Sequence, residues 1–183
     1  MDYHLVTIFK GNLMGISRMD QAVYNVLNAS PIDLGYYHPY IVDFAVVLPV
    51  VAIFFHFVSI LVAGKDNKDT DFFKAANILF FGSVIAIILA YITGIDGSVE
   101  MRESLSREGR QLFDAHAALG RYLFLGFFLL LLIKLISLVV KKEAVRYLVG
   151  TLFFIAVLVL LYQNTLGNSL VFDYAAGVVT SPY

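Results

Sequence analysis

Apolar residues gather into four long blocks separated by short polar stretches: Tyr40–Ala63, Ala75–Ile95, Tyr122–Val140 and Tyr147–Leu166. In each block they run on all sides of a helix instead of along one stripe, as expected where a helix faces lipid. A hydrocarbon layer about 30 Å thick takes about 20 helical residues at ~1.5 Å each, and every block is near that length. Strands fit poorly, because a membrane barrel needs alternating segments of about ten residues. The pattern predicts an all-α integral membrane protein, a four-helix up-and-down transmembrane bundle. Pro49 falls inside the first span, where it should kink the helix and free the carbonyl of Ala45.

Ahead of Tyr36 the pattern changes. Met19, Val23, Val26 and Leu27 stand at helical spacing before Pro31, which predicts a short amphipathic helix lying on the membrane surface. Two regions follow: a peripheral arm over 1–35, and a four-helix transmembrane domain over 36–183 whose tail begins at Gly167. Leu5–Phe9 is the longest early apolar stretch, and Thr7 interrupts it. A secretory leader uses roughly 7–15 uninterrupted apolar residues, so insertion is expected to rely on the first span.

Composition agrees with a membrane location. The 183 residues are 60% hydrophobic and 15% charged, against about 25% charged in an average soluble domain. A formal net charge of −1 provides no basic field for nucleic acid. The absence of cysteine excludes disulfides, iron–sulfur ligation and thiol chemistry.

Charge also predicts orientation. The two short connections, Gly64–Lys74 and Lys141–Arg146, carry six lysines and arginines: Lys65, Lys68, Lys74, Lys141, Lys142 and Arg146. On the other side six are spread thinly: Lys10, Arg18, Arg102, Arg107, Arg110 and Arg121. Dense short loops stay cytoplasmic. Both termini are therefore expected outside, in a bacterial inner (cytoplasmic) membrane, with Tyr36, Tyr37, Tyr40, Tyr91, Tyr122 and Tyr162 as an outer aromatic belt.

The candidate chemistry lies at that outer side. Of the four histidines, His38 immediately precedes the first span and His116 lies about a turn and a half before the third. Both spans run in the same direction, so both imidazoles come near one level. Two imidazoles from different helices are what a low-spin b-type haem iron takes as axial ligands. Gly94, Gly97 and Gly120 would leave room for a flat macrocycle. Asp43, Tyr91, Thr93, Asp96, Gln163 and Asn164 cluster near the same boundary, where Asp43 and Asp96 could fix an imidazole tautomer. A haem site, a structural polar belt and another small-molecule site all fit that cluster.

His56 lies 18 residues beyond His38, about 27 Å deeper, too far to share a haem with it. Lys134 sits at a similar depth, and its stem is expected to snorkel toward the interface. No carboxylate accompanies them in the inner halves of the spans, which weakens a proton pump or transporter. The stretch from Asp96 to Arg121 mixes Glu100, Arg102, Glu103, Arg107, Glu108, Arg110 and Asp114 at helical spacings, the pattern of a solvated face or of a surface for a partner. No Ser-His-Asp order, zinc spacing or phosphate loop appears.

Four pieces of the sequence resemble a family of bacterial four-span membrane proteins, the domain of unknown function 2231. They are His38-Pro39-Tyr40-Ile41-Val42-Asp43-Phe44, Thr93-Gly94-Ile95-Asp96, His116-Ala117-Ala118-Leu119-Gly120, and Gly167-Asn168-Ser169-Leu170-Val171-Phe172 with Gly177-Val178. The resemblance covers roughly 36–179 and leaves the arm aside. Asp43 stands where the family often has a second histidine, and Ala45 where it has proline. Some relatives are joined to iron–sulfur electron-transfer domains, so the resemblance implies haem or quinol chemistry by analogy.

The sequence therefore points first to a membrane electron-transfer subunit with one b-type haem on His38 and His116, in contact with lipid and a redox or membrane protein partner. A non-catalytic scaffold that docks a partner through 96–121 and the tail is the alternative, and a small-solute carrier a weaker one. The orientation is open to direct test. Cysteines introduced singly at Ser98, Asn67 and Ser181 should react with an impermeant thiol reagent in whole cells at 98 and 181 but not at 67. Labelling at 67 alone would reverse the topology.

Overall fold

The computed structural model describes residues 20, 22–23, 25–26, 34–63, 70–96, 98–140 and 143–176. Among them every regular element is helical. A 3-10 turn, Gly35–Tyr37, leads into α1 (His38–Ala63), followed by α2 (Asp71–Asp96), the short α3 (Ser98–Ser104), α4 (Arg107–Val140) and α5 (Glu143–Tyr174). α1 with its lead-in turn, α2, α4 and α5 are each long and apolar enough to cross a membrane. This is the four-helix up-and-down bundle that the apolar blocks predict.

The helices outrun those blocks. α4 begins at Arg107 and α5 continues to Tyr174, so most of the expected 96–121 loop and the start of the expected tail are helix. At ~1.5 Å per residue α4 and α5 are each about 50 Å long, well beyond a ~30 Å hydrocarbon layer. Hydropathy marks only the length that lipid requires. The extensions are held by an apolar cluster of Leu105, Phe113, Leu170 and Ala176, flanked by Met101, Leu112, Ala117 and Tyr174. The chain leaves α5 through Ala175 at φ 53°, a left-handed conformation that strains an L-residue with a Cβ. Ala176 N–H then donates to the Leu170 carbonyl at 3.0 Å, satisfying a helix-end acceptor.

Contacts divide the chain into two compact units. The first comprises Met1–His38, Tyr91–Tyr122 and Tyr162–Tyr183; the second comprises Pro39–Ala90 and Leu123–Leu161. In the second unit small residues, Ala45, Ala52, Ala76 and Ala86, are buried and let backbones approach closely. Pro49 is fully buried inside a helix that continues past it. Ser83, also fully buried, donates its hydroxyl to the Leu79 carbonyl at 2.6 Å, so no polar group is left bare there. Phe153 of α5 sits edge-on to Phe80 of α2 at 5.0 Å and to Phe127 of α4 at 6.1 Å, joining three helices. Phe54, Leu61, Ile78 and Val139 point outward, as side chains facing lipid do.

The arm expected over 1–35 lies largely outside the described residues. Of its apolar stripe, Val23 is half-buried and Val26 is exposed; Met19 and Leu27 lie outside the description.

Removing the ring at the centre of the aromatic junction leaves a void between three helices. Phe153→Ala should cost ~3 kcal/mol, whereas Phe54→Ala, on the outer surface, should cost little. Thermal unfolding in a neutral detergent distinguishes them; equal losses would mean that the junction carries no special share of the packing.

Candidate functional site

The first unit gathers most of the polar side chains singled out in the sequence. His38 opens α1, and its Nδ1 is hydrogen-bonded to Thr93 Oγ1, in the last turns of α2, at 3.1 Å. When Nδ1 donates that proton, Nε2 keeps its lone pair. The ring lies directly against Gly94: a Cβ there would come within 2.9 Å of His38 Cε1. Asp96, the last residue of α2, accepts from Leu34 N–H at 2.7 Å and Gly35 N–H at 3.1 Å. Its carboxylate therefore caps the start of the 3-10 turn and α1, where both donors and helix dipole favour an anion.

A second set joins α4 and α5. His116 of α4 lies against Gly167 of α5, whose added Cβ would meet His116 Cε1 at 3.1 Å. Gln163 of α5 lies against Gly120 of α4, with 3.3 Å to Gln163 Nε2, and Tyr174 of α5 against Gly109 of α4, with 3.0 Å to Tyr174 Cδ1. Along α4 these positions advance by seven and four residues, and along α5 they retreat by the same steps. The three pairs thus share one antiparallel register, at spacings that keep each helix on a single face. Gln163 Nε2–H also donates to the His116 carbonyl at 2.8 Å.

His116 and His38 both belong to the first unit. His116 Nδ1 is buried without a hydrogen-bond partner, as are Gln163 Oε1 and Arg121 Nε. Buried polar atoms left bare are few in native interiors and commonly mark a water or ligand position. Arg121, itself buried, pairs with Asp20, and Tyr91 O–H donates to the other Asp20 oxygen at 2.7 Å. A buried guanidinium needs such a counter-charge, and this one comes from a residue of the N-terminal arm.

Two expectations change. Asp43 is exposed, and five helical residues turn it about 140° from His38 on α1. Asp96 holds backbone N–H groups instead of an imidazole; Thr93 holds the His38 ring. Gly94 and Gly120 do face the polar layer, but the space above them is filled by His38 and Gln163. The charged 96–121 stretch is also partly paired internally. Arg102 makes two hydrogen bonds to Asp114, at 2.8 and 3.1 Å, and Arg110 Nε–H donates to the Leu105 carbonyl at 2.9 Å.

Sequence reasoning missed Gly109 and the seating roles of Gly167 and Gln163. A signal existed: His116 and Gly120 are four residues apart, as are Gln163 and Gly167, so each pair shares a helix face. Among the described residues, no three His, Asp or Glu side chains come together as a metal-holding group.

Four apolar spans with a polar layer built from their ends define an integral membrane protein of the four-helix bundle class. The chain belongs to the family described as Predicted membrane protein (DUF2231), whose model matches residues 37–180. No curated protein and no solved structure matches it.

The glycine seats yield a graded prediction. Gly→Ala inside a helix is otherwise favourable by about 1 kcal/mol, so Gly126→Ala, with nothing within 4 Å, should be neutral or stabilising. Gly94→Ala and Gly167→Ala displace an imidazole and should each fall about 2 kcal/mol below it. Equal melting temperatures for all three variants would show that the seats are loose.

Proposed function

We propose that the chain is the membrane subunit of an electron-transfer system and that His38 and His116 are the axial pair for one b-type haem. The observation that carries this reading is the buried, unpartnered Nδ1 of His116, in the same unit as a second imidazole, that of His38, which Thr93 orients. The donor chemistry fits: two imidazoles from different helices, one of them oriented through its Nδ1 by Thr93. A haem held there would pass single electrons to a redox partner in or at the membrane. On this reading the histidine-bearing ends of the helices face outward from a bacterial inner membrane, as the loop charges predict.

The room is less favourable than the donors, since His38 and Gln163 fill the glycines expected to give clearance. That packing supports a second reading, in which the polar layer is a lock that holds the helix ends together and the chain serves as a non-catalytic scaffold.

A reduced-minus-oxidised optical spectrum of protein purified from haem-replete cells separates the two. The haem reading expects a low-spin b-type spectrum that His38→Ala and His116→Ala each abolish and His56→Ala leaves intact. Thr93→Val should retain the haem and shift its midpoint potential, because the ring loses its hydrogen-bond partner. A flat wild-type spectrum would overturn the haem reading and leave the lock.

A further inference from the structure

Arg121 of α4 is a buried cation whose only ion-pair partner among the described residues is Asp20. The two stand 101 residues apart in the chain, and the carboxylate comes from the arm instead of from a span. Asp20 bridges two donors. One of its oxygens accepts from Arg121 Nη1–H, and the other accepts from Tyr91 O–H at 2.7 Å. Tyr91 and Arg121 lie within the residues 37–180 that match the family, and Asp20 lies outside them. The spanning domain thus holds a guanidinium and a hydroxyl, and the anion between them is supplied from elsewhere in the chain.

Two features separate this arrangement from a closed structural pair. A guanidinium can meet a carboxylate along a two-donor edge, yet Asp20 engages Nη1 while Arg121 Nε stays buried with no hydrogen-bond partner. The donor fork is only partly used. The Arg121 side chain is 9% exposed and that of Asp20 24%, so the guanidinium is approached from the side that Asp20 occupies. A buried cation left without its anion is strongly destabilising. Any state in which Asp20 moves aside therefore requires another anion in its place.

We propose that Arg121 and Tyr91 form a binding site for a small organic monocarboxylate, and that Asp20 fills this site in the ligand's absence. A free carboxylate has the two oxygens and the single charge that the site already accommodates in Asp20. Untethered, it can also turn one oxygen toward Nε. Chloride has no second atom with which to span both donors. A phosphate group carries about −1.5 to −2 charges near pH 7, more than one guanidinium balances. None of the three residues belongs to the His38–His116 pair, so the haem reading and this site fail independently.

The test uses the full chain in a neutral detergent. Melting temperature is followed while sodium chloride is replaced by sodium acetate or sodium formate at constant ionic strength and pH. Asp20→Ala should melt below the wild type in chloride and recover saturably with acetate or formate, because a ligand of the folded state stabilises it by mass action. The wild type should show the same rise only at concentrations about tenfold higher or more, since a tethered carboxylate competes at an effective concentration on the order of millimolar. Asp20→Asn keeps the shape of the side chain and loses its charge; it should fall between the two, and it carries the test if Asp20→Ala does not fold. Adding Arg121→Gln to either variant should remove the response. Asp114→Ala, which removes the partner of the exposed Arg102, should show none, because water already solvates that guanidinium. A wild-type midpoint equal to that of Asp20→Ala would mean that Asp20 does not occupy the site. A wild type indifferent to acetate at every concentration would make Asp20 a permanent structural partner. Either result overturns the proposal, as does a response to sodium phosphate alone or one that survives Arg121→Gln.

Discussion

An apolar side chain in a bilayer gains little by leaving a lipid tail for another helix, so close approach of backbones must hold the helices together. In this chain that approach is made at glycines, and what enters them is largely polar. His38 packs on Gly94, His116 on Gly167, Gln163 on Gly120 and, in the second unit, His56 on Gly150. Each contact removes the Cβ that would hold the helices apart and replaces it with a flat ring or amide from the facing helix. Three described histidines thus play one mechanical part in addition to any chemical one.

The α4–α5 seam of the first unit shows how this device sets register. A polar or aromatic side chain on one helix meets a glycine on the other three times, with large and small partners exchanging sides: Tyr174 on Gly109, His116 on Gly167, Gln163 on Gly120. A slip of one residue would rotate the face by about 100° and present every large group to a side chain instead of a glycine. The bond from Gln163 to the His116 carbonyl adds direction to shape. Apolar contacts at Leu105, Phe113, Leu170 and Ala176 extend the seam beyond the length that lipid would require.

The same arrangement accounts for where polar groups are satisfied and where they are not. Asp96 is used up by the start of α1, and Asp20 by Tyr91 and Arg121. Ser59, Ser83, Ser137 and Thr165 return their hydroxyls to carbonyls of their own helices. What remains bare is confined to His116, Gln163 and Arg121 among the described residues. Leaving a buried nitrogen or oxygen unpaired costs about 1–3 kcal/mol, and their concentration in the first unit is why function is sought there.

The sequence by itself determined the class of the protein. Four blocks of about twenty apolar residues admit few structures other than membrane-spanning helices, because lipid leaves no other way to satisfy the backbone. It also marked His38, His116, Thr93 and Gln163 as a polar group near one boundary, since unpaired polarity is conspicuous against an apolar background. Which helix each side chain faces was decided only by the tertiary structure. Helical periodicity gives an angle about one axis but not the bearing of a neighbouring axis, so Asp43 could be grouped with His38 when it is in fact turned away and exposed. The glycines were legible as gaps, but not what fills them. Lys134 was legible as a charge near an interface, and only packing against Phe73 and Phe80 turned it inward, because a long flexible stem goes where neighbouring helices leave room.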